Sequence, residues 1–66
     1  MKIVVNGEER VVRDGITILE LLKELGIEEK TMASAVDMQV VKKEDWGDRV
    51  LKEGEKVEFL HFVGGG

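Results

Sequence analysis

The chain has 66 residues, no cysteine, one histidine and a formal net charge of -4. Disulfide staples, thiolate metal sites, iron–sulfur clusters and cysteine nucleophiles are thereby excluded, and the lone His61 cannot build a metal site unaided. An acidic chain repels phosphate backbones and anionic lipid surfaces, so neither nucleic acid nor membrane is an expected partner. No apolar run approaches the roughly 20 residues of a membrane span, and no cationic and apolar leader opens the chain; the expected location is the cytoplasm. The 42% hydrophobic content suits a small folded core.

Lys2-Ile3-Val4-Val5 reads as a short strand rich in β-branched residues. Asn6-Gly7 is the pair best suited to a type I′ turn, and Glu9 to Arg13 reads as the returning strand. Asp14-Gly15 supplies the next turn. Thr17 followed by Glu20 makes a capping box, and Ile18, Leu21, Leu22 and Leu25 fall on one helical face, with Glu20, Lys23 and Glu24 opposite. Gly26 stands where a left-handed residue ends a helix.

Residues 28–31 read as polar loop, and Met32 to Val36 and Gln39 to Val41 as short strands. The Asp37-Met38 pair between them is a poor tight turn, because Met38 disfavours positive φ. Lys43 to Asp48 suits one helical turn carrying Trp46. Glu53-Gly54 is a further turn, and Lys56 to Val63 is the longest strand. The order β-β-α-β-β-β describes an α+β, β-grasp (ubiquitin-like) domain over residues 1–63, a mixed sheet of about five strands on one main helix. A small split-β α+β domain would read similarly. Residues 64–66 are expected to form a flexible glycine tail.

Alternation puts Ile3, Val5, Val57 and Phe59 toward the helix, with His61 in line, and Val4, Leu60 and Phe62 on the uncovered face. That face is either a partner surface, or its side chains shield one another or lie under the segment 43–51. Trp46 is read as a core plug, Met32 and Met38 as gap-fillers, His61 as a structural strand residue, and Lys42, Lys43 and Lys52 as solvated. Ser34 is the one serine, and no aspartate stands at a triad spacing from it and His61. An autonomous enzyme is not expected.

The distinctive feature is Phe62-Val63-Gly64-Gly65-Gly66, an apolar strand running straight into three glycines. Glycine has no Cβ, so this backbone can thread a slot closed to other residues, reaching roughly 10 Å beyond the body. A terminal carboxylate is a poor electrophile, but transfer of AMP from ATP would give it a good leaving group. Sulfur attack on the acyl adenylate would then yield a thiocarboxylate. Glycine-rich ends are also commonly inert, and the motif gains weight only with the rest of the pattern.

Over nearly its whole length the chain resembles the ThiS-type sulfur carriers of thiamine biosynthesis. The resemblance is carried by Met1 to Gly7, by Gly15 with Thr17 to Leu22, by Trp46, by Glu53 to Glu58, and above all by His61 to Gly66. It implies a β-grasp fold and adenylation of the Gly66 carboxylate by an E1-like adenylyltransferase that uses ATP. It further implies a covalent 1-thioglycine at Gly66, loaded by a sulfur donor system and delivered to a thiazole synthase, with no resident cofactor or metal. Gly65 and Gly66 match the family's terminal pair, with Gly64 before them, and Val4, Leu60, Phe62 and Val63 are the expected partner contacts. The chain departs from the family at Asp37-Met38, where Asn-Gly is usual, and at Lys42-Lys43, where Pro-Arg is common. A ubiquitin-like modifier, a carrier for molybdopterin or sulfur-amino-acid synthesis, and a non-covalent β-grasp module remain alternatives.

Overall fold

The computed structural model describes residues 1–61. Strands β1 (Lys2–Val5) and β2 (Glu8–Val11) form the first hairpin, followed by helix α1 (Ile18–Leu25). Strands β3 (Thr31–Val36) and β4 (Gln39–Val41) form the second hairpin, and a single 3₁₀ turn (Lys43–Asp45) leads to strand β5 (Lys56–His61). The sheet order is β2-β1-β5-β3-β4. β1 and β5 are parallel, and the other pairs are antiparallel. This is the mixed five-stranded sheet with one helix that the sequence suggests.

The local signals explain the first half. Asn6 and Gly7 both have positive φ, 48° and 85°, which a type I′ turn requires. The capping box is complete: Glu20 N–H donates to Thr17 Oγ1 at 3.1 Å, and Thr17 N–H donates to Glu20 Oε1 at 2.9 Å. The Thr17 N–H first, and then the Thr17 hydroxyl, which donates to the same Oε1 at 3.2 Å, hold the Glu20 carboxyl below the usual carboxylate range, with the Arg13 charge adding to the effect. Gly26 closes the helix at φ 73°.

Ile18, Leu21 and Leu22 bury their stripe against Ile3 and Val5 of β1, Val36 of β3, and Val57 and Phe59 of β5, while Leu25 is partly buried at the margin. Trp46 completes this core as its largest member, only 2% exposed, and its Nε1–H donates to Val41 O at 3.0 Å. The segment around Trp46 is tied to the helix start by Leu19 N–H to Trp46 O at 3.0 Å and Ile18 N–H to Arg49 O at 3.1 Å. Ile16 and Leu51 are sealed beneath these contacts.

Several boundaries and roles differ from the sequence reading. β2 begins at Glu8 and ends at Val11, because its pairing partner β1 is only four residues long. Thr31 is the first residue of β3 rather than loop; it is buried, and its Oγ1–H donates to Ile27 O at 2.8 Å. Met32 and Met38 fill no gap, since both are exposed: Met32 sits at a β-bulge in β3, and Met38 at a turn tip.

Asp37-Met38 does form the tight turn, with φ 48° and 71°. The β3–β4 register leaves only these two residues to connect Val36 with Gln39. Asp37 is tied to β5 as well, since its N–H donates to Lys56 O at 2.8 Å and its Oδ1 accepts from Lys56 N–H at 2.9 Å. Pairing and these bonds overcome the local preference of Met38. Relief of the left-handed penalty in Met38→Gly, partly offset by glycine's greater chain entropy, should raise stability by about 1 kcal/mol, measured as a higher urea midpoint at unchanged slope.

Candidate functional site: the open sheet face and the last strand

Helix α1 covers one face of the sheet and leaves the other open. Register places Val11 and Glu9 of β2, Lys2 and Val4 of β1, Lys56, Glu58 and Leu60 of β5, Ala33 and Ala35 of β3, and Val40 of β4 on that open face. Leu60 is 64% exposed and Val40 76%. The segment around residues 43–51 therefore does not shield Leu60.

Leu60 lies across from Ala33, and Glu58 across from Ala35, which in turn is paired with Val40. These side chains line a shallow hollow of about 330 Å³ beside Asn6. Val4 does not join it. Val4 pairs with Lys56, four residues before Leu60, or roughly 13 Å along the strand. It is half-buried in a separate hollow with Gly7 and Met38. Of the expected partner contacts, Phe62 and Val63 lie outside the described residues, as do Gly64, Gly65 and Gly66.

Two contributors escaped the sequence reading. Val40 belongs to a three-residue strand, and its outward direction depends on pairing with Ala35. Asn6 was legible only as a turn residue, yet its Oδ1 accepts the Phe59 N–H at 2.8 Å. The same residue's N–H donates to Val57 O at 2.9 Å. Asn6 thus grips β5 twice and extends its support past the last β1 residue.

Among the described residues, side chains with independent chemical potential are not assembled. Ser34 is buried between neighbours Phe59 and Val41, and its Oγ has no hydrogen-bond partner among the described residues; it faces the core and not solvent. No group of three potential metal-ligating side chains occurs among the described residues. No described helix is long and apolar enough to cross a membrane. What the geometry offers is a firmly held central strand, an apolar strip beside its exit, and the residues 62–66 that follow.

The ThiS family model matches residues 2–66. The chain belongs to the ThiS family. It is 27% identical over 66 residues to the sulfur carrier protein ThiS of Escherichia coli, with both chains covered completely. It is also 36% and 38% identical to the thiazole synthases of Paramagnetospirillum magneticum and Magnetococcus marinus. There the whole chain is matched but spans only 20% of each relative's length. The crystal structure of a thiamine biosynthesis protein, ThiS, from Geobacter metallireducens superposes with a TM-score of 0.82 at 31% identity, covering both chains completely. The β-grasp fold of this ThiS-family chain is thus the fold of its solved relatives.

The bond between Asn6 and Phe59 can be isolated by Asn6→Gly, which keeps the positive φ but removes the acceptor. Stability should fall by about 1 kcal/mol, and the Phe59 amide should exchange faster with solvent in NMR hydrogen-exchange measurements.

Proposed function

We propose that this protein is a sulfur carrier of thiamine biosynthesis whose reactive group is the Gly66 carboxylate. In this reading the carboxylate attacks the α-phosphorus of ATP on an E1-like adenylyltransferase, and pyrophosphate leaves. A hydrosulfide-equivalent nucleophile from the sulfur donor then displaces AMP from the acyl adenylate. The resulting thiocarboxylate at Gly66 hands its sulfur to a thiazole synthase. The carrier is a substrate in each step and supplies no catalytic side chain of its own.

The observation that carries the reading is the family match through residue 66, joined to a strand that enters the tail from the middle of the sheet. A carrier needs a body that stays outside its partner and a thin extension that goes in. Pairing of β5 with β3 as far as His61 anchors the base of the extension, and Gly64, Gly65 and Gly66 have no side chain to obstruct a narrow channel. Leu60, with Ala33, Ala35 and Val40 around it, supplies the apolar surface that a partner would cover as the tail enters. Phe62 and Val63, which follow in sequence, would extend those contacts, and Val4 would add a separate one. The resemblance of the chain to part of two thiazole synthases supports that enzyme as the acceptor.

Incubation with the adenylyltransferase, ATP and a sulfur donor should raise the intact mass by the replacement of one oxygen by sulfur. Deletion of Gly66 should abolish the shift. An unchanged mass with an activating enzyme of proven competence refutes the reading, and lysine-linked adducts recovered from cells would replace it with a protein modifier.

Leu60→Asp should leave stability within about 0.5 kcal/mol while weakening association with the adenylyltransferase roughly tenfold, as titrated by calorimetry. Full affinity in this variant would remove the open face from the docking surface.

A further inference from the structure

β5 has neighbours on both sides over its first half and on one side over its second. Val4 and Val5 of β1 pair with Lys56 and Val57, and the chain then turns away at Asn6-Gly7 into β2. On the other side, pairing with β3 continues as far as His61. Backbone groups of alternate residues face the same side of a strand. The Val57 carbonyl and the Phe59 N–H both point toward β1 and its turn, where Asn6 meets them. The Phe59 carbonyl and the His61 N–H therefore point the same way, past the end of β1. No described strand runs along this side of Phe59–His61.

We infer that this half-edge of β5 receives an extended segment of the thiazole synthase as an added strand, lying in line with β1 beyond Asn6. The inference rests on the carrier function proposed above. A strand with unpaired backbone groups is a template for strand addition, with main-chain bonds giving affinity and alternate side chains giving specificity. The two outer edges of the sheet are less suitable. The β2 edge presents Glu8, Glu9 and Arg10 in succession, and both outer strands lie two positions away from β5 and the tail that follows it. The β5 half-edge instead adjoins the open-face hollow that Asn6 and Leu60 line together, and Leu60 stands exposed beside it. Outward-facing side chains of an added strand would pack against Leu60.

Position gives the contact its use. The half-edge ends at the residue before Phe62, so a strand added there fixes the direction in which the tail sets out. It also raises the effective concentration of the tail at the acceptor site. The occupant is taken as the synthase because in two relatives a region like this chain is part of a thiazole synthase polypeptide, which keeps the two surfaces close.

His61→Pro tests the inference. Proline removes the N–H on the side along which no described strand runs and is tolerated where a strand donor is not needed for pairing, so pairing with β3 should survive. Compared with His61→Ala, the proline variant should unfold at a similar urea midpoint but bind the thiazole synthase roughly tenfold more weakly. The alanine variant should bind within about twofold of the wild type. In parallel, hydrogen exchange at the His61 amide of the wild-type carrier should slow on saturation with the synthase. Equal affinities of the two variants, or unchanged His61 exchange in the saturated complex, overturn the proposal. If the proline variant does not fold, the exchange measurement decides alone. Sulfur loading of Gly66 is read separately by mass, so a normally loaded carrier that fails these tests sinks the added strand and leaves the carrier function standing. Failure of wild-type loading strikes the function itself, and failure of the wild type to bind the synthase overturns the strand proposal.

Discussion

Parallel pairing between the first strand and the last is the constraint on which the rest of this small domain depends. Val4 and Val5 lie beside Lys56 and Val57, so residues more than fifty positions apart must meet before a continuous sheet exists. Once β5 is seated between β1 and β3, Val57 and Phe59 join Ile3, Val5 and Val36 as one apolar floor. Only then does the stripe of α1 have a surface to cover. A helix of eight residues is marginal alone, and its capping box and left-handed Gly26 define its ends without being enough to hold it.

The same pairing explains why the open face has its particular shape. β1 is short, so its turn arrives midway along β5, and Asn6 takes over where strand pairing stops. A side-chain carbonyl in place of a main-chain carbonyl lets the first hairpin leave the sheet while still holding Phe59. Beyond it, β5 is held by β3 alone among the described strands. The half of β5 nearest the tail is therefore supported from one side, and the apolar strip of Leu60, Ala33, Ala35 and Val40 lies on the supported side.

Charge is arranged around the core rather than in a site. Arg13 bridges Glu20 and Glu24 across the exposed face of the helix. Arg49 contacts Glu55 at 2.7 Å, and Glu55 Oε1 also accepts the Lys52 N–H at 2.7 Å, which fastens the turn that feeds β5. Lys43 lies 5.7 Å above the Trp46 ring, consistent with a solvated cation resting on an aromatic that otherwise belongs to the core. These contacts shape loops and helix ends.

Much of the local structure was written plainly in the residues. Asn6-Gly7, the Thr17–Glu20 box, Gly26 and the alternation of Val57 and Phe59 each rest on preferences acting over a few residues, and all were realised. The family was legible from the whole pattern ending in Gly64-Gly65-Gly66. Where the outcome depended on distant partners, the sequence was silent or misleading. Met38 adopts positive φ because a strand register some residues away leaves no other way to turn, and Asp37 is anchored to Lys56. Ile16 and Leu51 are buried because the Trp46 segment folds over the helix start, a contact no local period encodes. The separation of Val4 from Leu60, the recruitment of Val40, and the grip of Asn6 on Phe59 follow from sheet order and register. Short-range sterics and hydrogen bonding thus set the elements, while long-range pairing chose which side chains share a surface.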